Sequence, residues 1–256
     1  MVSDAALVVR PNRDSPGNGG MEGPMAYAEL WMGMVLSSLR WRGGTRQQLH
    51  GDYAIGSQFA GATHSLDPSL VVGCGHGGPD IWTGQYIAGG YSVLLTTYNA
   101  GTMAGRVVYL LSCWTAQNLG PEMISKGAVA YAGYNQPFVW TVVSPSSPAT
   151  DRLAAPFGIA STMFPKVLVG GKIVREAKER AIETFNQEIE RWERSTDPYA
   201  REVVKWLLWD RDAFTVLGNE EARGLDPKLA IGLVASAAGV GALAYGIYRY
   251  RRRRRR

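Results

Sequence analysis

Val71-Val72-Gly73-Cys74-Gly75-His76-Gly77-Gly78 and Val107-Val108-Tyr109-Leu110-Leu111-Ser112-Cys113-Trp114 decide how this chain is read. Each opens as a short, continuously apolar, β-branched run bounded by breakers, the pattern of a buried strand. In an open α/β sheet, ligands bind just beyond the carboxyl ends of the strands. His76 and Cys113 both stand at such ends. If the two strands are parallel neighbours, an imidazole and a thiol face one crevice.

The flanking sequence supports an alternating pattern. Ala5 to Arg10 reads as a first strand, and the Pro- and Gly-rich residues 11–24 as a long loop. Met25 to Leu39 is apolar around most of its circumference, as in a buried helix. Residues 43–66 carry no clear pattern beyond a helix near Asp52 to Ala62, and Gln85 to Asn99 reads as mixed strand and helix. Gly120-Pro121 begins a short helix. Gly127 to Gly133 is a third buried strand, and Asn135 to Pro156 a long loop with four prolines. Lys172 to Arg194 is strongly amphipathic, with Ile173, Ala177, Ile182, Phe185, Ile189 and Trp192 on one face. Asp197-Pro198 predicts an N-cap and first-turn proline for a helix to about Trp209. Asp212 to Gly218 closes the series as a strand. Such alternation predicts an α/β fold, a mainly parallel sheet covered on both faces. No internal repeat is found.

The bulk composition narrows the function. The chain has 256 residues, 46% hydrophobic and 19% charged, which excludes a disordered protein. Two cysteines make no disulfide framework. Cys74 and Cys113 could bridge only if their strands are adjacent; packing is the preferred reading of Cys74 over a redox lock. The net charge of +5 belongs to the tail: without Arg249 and Arg251–Arg256, 20 basic residues face 22 acidic ones. The body is near neutral, so nucleic acid is not expected as a partner.

The uncharged run Leu229 to Tyr248 has the length of a bilayer-spanning helix. Tyr245, Tyr248 and Tyr250 suit an interfacial belt, and small-xxx-small pairs such as Gly232 and Ser236 permit self-association through that helix. The sequence therefore divides into a domain at 1–225, a linker at 226–228, a transmembrane helix at 229–248 and an arginine-rich tail at 249–256. Membrane lipid is an expected partner. The arginine block predicts a cytoplasmic tail and an external domain. Met1 to Arg10, however, lacks the basic start and apolar length of a signal peptide. The side of the membrane occupied by the domain stays open.

The chemistry follows from residue type. A thiol attacks as its thiolate, and a nearby imidazole promotes that form and can protonate a leaving amine. The amides of Gly77 and Cys113 are placed to bind an oxyanion. Taken singly, a cysteine in an apolar strand is as a rule inert packing, and a histidine between glycines a turn residue. His50 and His64 stand in no comparable context. No cofactor and no metal site is expected.

The order of these elements resembles the caspase–gingipain superfamily (clan CD) of cysteine peptidases, and within it the gingipain-like branch. The resemblance rests on His76-Gly77, on Ser112-Cys113, on the loop Gly75 to Gly84, on Gly127 to Tyr134, on Gly171 to Lys178 and on Trp209 to Asn219. It spans about residues 68–223. Asn219 departs from the Gly-Asp usual at that position. The resemblance implies a caspase-like three-layer sandwich with Cys113 as nucleophile, His76 as general acid and base, and Gly77 with Cys113 N–H as the oxyanion hole. It also implies that Asn135, Gln136 and Trp140 wall the substrate pocket, although Trp140 is equally read as core. An acid at the pocket base would select Arg or Lys; Asp52, Asp67, Asp80 and Asp151 are unseparated candidates. The expected function is a membrane-anchored cysteine endopeptidase acting on protein or peptide substrates. The alternatives are a catalytically silent peptidase-like membrane protein used for assembly or signalling, and an acyl-transfer or amidase activity on the same dyad.

Overall fold

A computed structural model of the chain describes residues 4–42, 44–143 and 147–226. Strands β1 (Ala5–Arg10), β2 (Thr45–His50), β3 (Leu70–Cys74), β7 (Val107–Leu111), β8 (Ala130–Tyr134) and β9 (Phe214–Gly218) form the main sheet. Strands β4 (Gly77–Gly78), β5 (Ile81–Ile87) and β6 (Gly90–Thr96) form a small antiparallel sheet. The main sheet has the order β2-β1-β3-β7-β8-β9, parallel throughout except for β9. The chain runs outward from β1 to β2, then returns to the other side of β1 to lay down β3. The topological switch point, where such sheets open a crevice, therefore lies between β1 and β3.

Side-chain alternation along the strands builds two cores. Ala6, Val8, Val72, Cys74, Tyr109 and Leu111 face one side. There they meet α1 (Pro24–Arg42), α4 (Ala155–Ser161), α5 (Met163–Val169), α6 (Val174–Glu193) and α7 (Ala200–Ala213). Leu7, Val9, Val71, Val108 and Leu110 face the other. They pack on α2 (Gly56–Leu66), α3 (Leu119–Ser125) and Trp82, Leu94 and Leu95 of the small sheet. Because both faces are covered, the central strands are apolar at every position and lack the polar alternation of a half-exposed sheet.

Several sequence expectations shift. Residues 43–66 contain the edge strand β2, whose Thr45-Arg46-Gln47-Gln48 is exposed and too polar to signal a strand, ahead of α2. Residues 85–99 are mostly a β5–β6 hairpin. It turns at Ala88 and Gly89, both in the left-handed region (φ 43° and 88°). Such a turn favours Asn-Gly or Asp-Gly, so Ala-Gly concealed it. Asp197 does not cap the helix before β9. Its carboxylate accepts from the Tyr199 amide (3.0 Å), and α7 begins one residue later, at Ala200. That helix runs to Ala213, so the last strand starts at Phe214. The amphipathic α6 begins at Val174, where Glu176 accepts from the Ile173 amide (3.1 Å). The run read as a transmembrane helix, 229–248, lies outside the described residues, as do the linker from 227 and the arginine tail. Among the described residues no helix is long and apolar enough to cross a membrane.

Candidate active site

Strand register brings the two predicted residues level. β3 and β7 are parallel neighbours, and Cys74 pairs with Leu111 at their carboxyl ends. His76 and Cys113 each lie two residues beyond that pair. Both line one cavity of about 220 Å³ on the α1 side of the sheet.

Glycines allow the two loops to meet. A Cβ on Gly77 would lie 2.3 Å from Ser112 Oγ and 2.5 Å from the Cys113 carbonyl oxygen. A Cβ on Gly75 would lie 1.9 Å from the Thr83 carbonyl oxygen. The His76 loop thus rests directly on the Cys113 turn, at a distance only glycine permits. The Thr83 amide and hydroxyl both donate to the His76 carbonyl (2.9 and 3.1 Å).

The Cys113 turn is strained and held from below. Trp114 adopts φ 59°, a left-handed conformation that costs a bulky residue about 1–3 kcal/mol. Its amide donates to the Gln136 carbonyl (3.3 Å), and the Ala116 amide to the Tyr134 carbonyl (3.0 Å). The buried Tyr131 hydroxyl donates to Thr115 Oγ1 (2.8 Å), which donates to the Ser112 carbonyl (3.1 Å).

One residue escaped the sequence reading. Asp14, buried in the loop between β1 and α1, pairs with His76 Nε2. The same carboxylate oxygen accepts from the Tyr91 hydroxyl (3.0 Å), whose ring lies edge-on to the imidazole at 4.7 Å. The other oxygen accepts from the Met25 amide (2.7 Å) in the first turn of α1. That amide has no partner within the helix, and the helix dipole favours a negative charge there. Asp14 is thus held in place against His76. The rule that selected His76 and Cys113 applies to it as well: it follows the carboxyl end of β1, the strand beside β3.

The remaining candidates separate. Trp140 lines the cavity with Phe138, Trp31 and Ala28. It also packs on Trp31 at 5.3 Å, so it serves as wall and core together. Asn135 and Gln136 are not in that lining. Their carbonyls hold the Cys113 loop, Asn135 through the Gln117 side chain (2.8 Å) and Gln136 through the Trp114 amide. The four acids considered for a basic pocket also lie outside the lining. Asp67 pairs with Arg106 (2.7 Å), Asp80 accepts from Asn118 (3.0 Å) and Asp52 from Gln85 (3.3 Å). Asp151 is buried and accepts from the Tyr27 hydroxyl and the amides of Val143, Leu153 and Ala154, pinning the loop ahead of α4. His50 faces Glu29 (3.2 Å), and His64 lines a separate hollow beside α2.

Cys74 and Cys113 are both free. Burial drives the Cys74 thiol far above its ordinary pKa, and the side chain packs in the α1-facing core. Burial also raises the Cys113 thiol. A hydrogen bond from the Phe138 backbone opposes that shift, while the Asp210 carboxyl adds to it. Among the described residues no group of three or more His, Cys, Asp or Glu side chains is gathered to hold a metal ion.

No protein-family model matches this chain, and no curated protein sequence matches it. Solved structures do. The Arg-specific cysteine proteinase gingipain R (RgpB) superposes with a TM-score of 0.55 at 12% identity, over 86% of this chain and 47% of that one. The complex of Porphyromonas gingivalis RgpB pro- and mature domains gives 0.52 at 13% identity, over 87% and 48%. The chain thus spans about half the length of the gingipain chains it matches. At this identity the likeness concerns the fold: the chain is a mixed α/β protein with a mainly parallel six-stranded sheet of the gingipain type.

Proposed function

We propose that this chain is a cysteine endopeptidase in which Cys113 is the nucleophile, His76 the general acid and base, and Asp14 the residue that orients His76. The observation that carries this reading is the level placement of His76 and Cys113 beyond two adjacent parallel strands, lining one cavity. The buried carboxylate on His76 supports it.

On this reading Asp14 selects the imidazole tautomer. With Nε2–H donating to Asp14, Nδ1 keeps its lone pair and can take the thiol proton. Cys113 Sγ then attacks the substrate carbonyl carbon, forming a C–S bond and an oxyanion that the amides of Gly77 and Cys113 stabilise. The intermediate collapses with cleavage of the C–N bond, and His76 gives its proton to the departing amine. Water next attacks the thioester, its proton passing to His76. Cleavage of the C–S bond frees the carboxyl product and returns the proton to sulfur. Residues 229–248 anchor the chain in a membrane and make lipid and self-association its further contacts, a reading that rests on sequence alone.

A second reading, a catalytically silent peptidase-like protein, is favoured by one observation: burial raises the Cys113 thiol when a nucleophile profits from a lowered one. A single experiment separates the two. Full-length chain in detergent is offered a mixed peptide library and a thiol-reactive probe, beside Cys113→Ala and His76→Ala. The peptidase reading requires cleavage by the wild type alone and probe labelling faster than in His76→Ala. Wild type indistinguishable from His76→Ala in both assays leaves the silent reading.

A further inference from the structure

The solved structure similar to this chain is described as Arg-specific, and an Arg-selective pocket needs a carboxylate. No carboxylate is among the residues lining the cavity beside Cys113. Its walls are Met25, Ala28 and Trp31 from α1, with Phe138 and Trp140 from the loop after β8. Asp14, the carboxylate held against His76, is engaged by that histidine, by Tyr91 and by the Met25 amide. Asp210 lies behind the wall, where one carboxylate oxygen accepts from the Val139 amide (2.9 Å). Burial raises its carboxyl well above the ordinary pKa. A guanidinium or ammonium placed in this cavity would lose its water and find no carboxylate in the lining, and a carboxylate would find no Lys or Arg. An apolar side chain would meet the aromatic and aliphatic surface of Met25, Ala28, Trp31, Leu111, Phe138 and Trp140, opposite the polar edge formed by His76, Ser112 and Cys113.

Resting on the peptidase reading, we propose that this cavity selects an apolar side chain on the residue whose carbonyl Cys113 attacks. Its 220 Å³ suits one side chain rather than a whole ligand. Trp140, Phe138 and Pro24 separate it from a second apolar hollow of about 430 Å³ that also touches Tyr27 and Val142. Trp140 is thus the partition that sets the depth of the selecting pocket.

The test uses full-length chain in detergent with a peptide series identical except at the residue before the scissile bond: Leu, Met, Phe, Gly, Arg, Lys, Asp or Glu. Leu, Met or Phe should exceed the charged residues at least tenfold in kcat/KM. Arg, Lys, Asp or Glu at or above the apolar residues overturns the inference and leaves the peptidase reading standing. Cleavage of no peptide, with no difference from Cys113→Ala, removes the peptidase reading and the inference with it. Two variants probe the walls. Ala28→Leu fills the cavity and should shift preference from Phe towards Gly. Trp140→Ala opens the partition and should raise relative kcat/KM for a naphthylalanine peptide several-fold. Should Ala28→Leu fail to fold, the wild-type series and Trp140→Ala still decide: an unchanged size preference in Trp140→Ala overturns the assignment of the wall.

Discussion

Asp14 and His76, 62 positions apart in sequence, are joined through the imidazole Nε2 at the switch point of the sheet. One carboxylate oxygen serves His76 and Tyr91, and the other caps α1 through Met25. Both oxygens act as acceptors, one from the Tyr91 hydroxyl and the other from the Met25 amide.

That division predicts the outcome of Asp14→Asn. The amide has one acceptor oxygen and one NH2 group. If the oxygen keeps the Met25 amide, the NH2 faces His76 and makes Nε2 the acceptor. The proton then sits on Nδ1, which can no longer take one from Cys113. The variant should fold like wild type and, on the peptidase reading, lose activity by on the order of 10²–10⁴-fold, the usual worth of positioned acid–base catalysis. Nitrogen NMR of His76 should show the tautomer exchanged. Full activity with an unchanged tautomer would sink the orienting role.

Gly77→Ala tests the contact between the two loops. The new Cβ falls 2.3 Å from Ser112 Oγ and 2.5 Å from the Cys113 carbonyl, so the Cys113 turn must move. Overpacking of this kind costs about 1–3 kcal/mol. Both stability and Cys113 labelling should fall. Gly61→Ala in α2 is the control, since no atom lies within 4 Å of its added Cβ. It should stabilise the chain by about 1 kcal/mol through helix propensity. Equal urea midpoints for the two variants would contradict the account.

Sequence was informative where burial on both faces forces an unbroken apolar run. Leu70–Cys74, Val107–Leu111 and Ala130–Tyr134 are legible for that reason, and their ends carry His76 and Cys113. It was uninformative where stability comes from one face or from backbone alone. Edge strand β2 buries only Leu49, and the β5–β6 hairpin depends on left-handed Ala88. Asp14 was hidden because its role is set by tertiary contact with Met25, Tyr91 and His76, none a sequence neighbour. The apolar character of the cavity was hidden too, because α1 and the loop after β8 meet only in space.

The Cys113 thiol yields a prediction about charge. Its raised pKa means that few thiolates exist at neutral pH in the free chain. Alkylation of Cys113 by iodoacetamide should keep rising with pH and reach half-maximum above the ordinary thiol value of about 8.5. The rate should lack a plateau between pH 6 and pH 8. A plateau there would reveal a standing thiolate–imidazolium pair and overturn the neutral resting state.

Asp210 makes stability depend on pH in a direction opposite to that of most carboxylates. One oxygen accepts from Val139, and the other is buried with no hydrogen-bond partner. Burial raises the carboxyl well above its ordinary pKa. The folded chain therefore keeps a proton that the unfolded chain releases above about pH 4. Its contribution is full below that value and is lost as pH rises towards the folded pKa. Asp210→Asn keeps the shape and the acceptor for Val139 and removes the titration. Relative to wild type, the variant should gain stability steadily from pH 5 to pH 8, read as a widening gap between urea midpoints. A gap that stays constant would show that Asp210 does not titrate between those limits, and that the loop carrying Phe138 and Trp140 is indifferent to its charge.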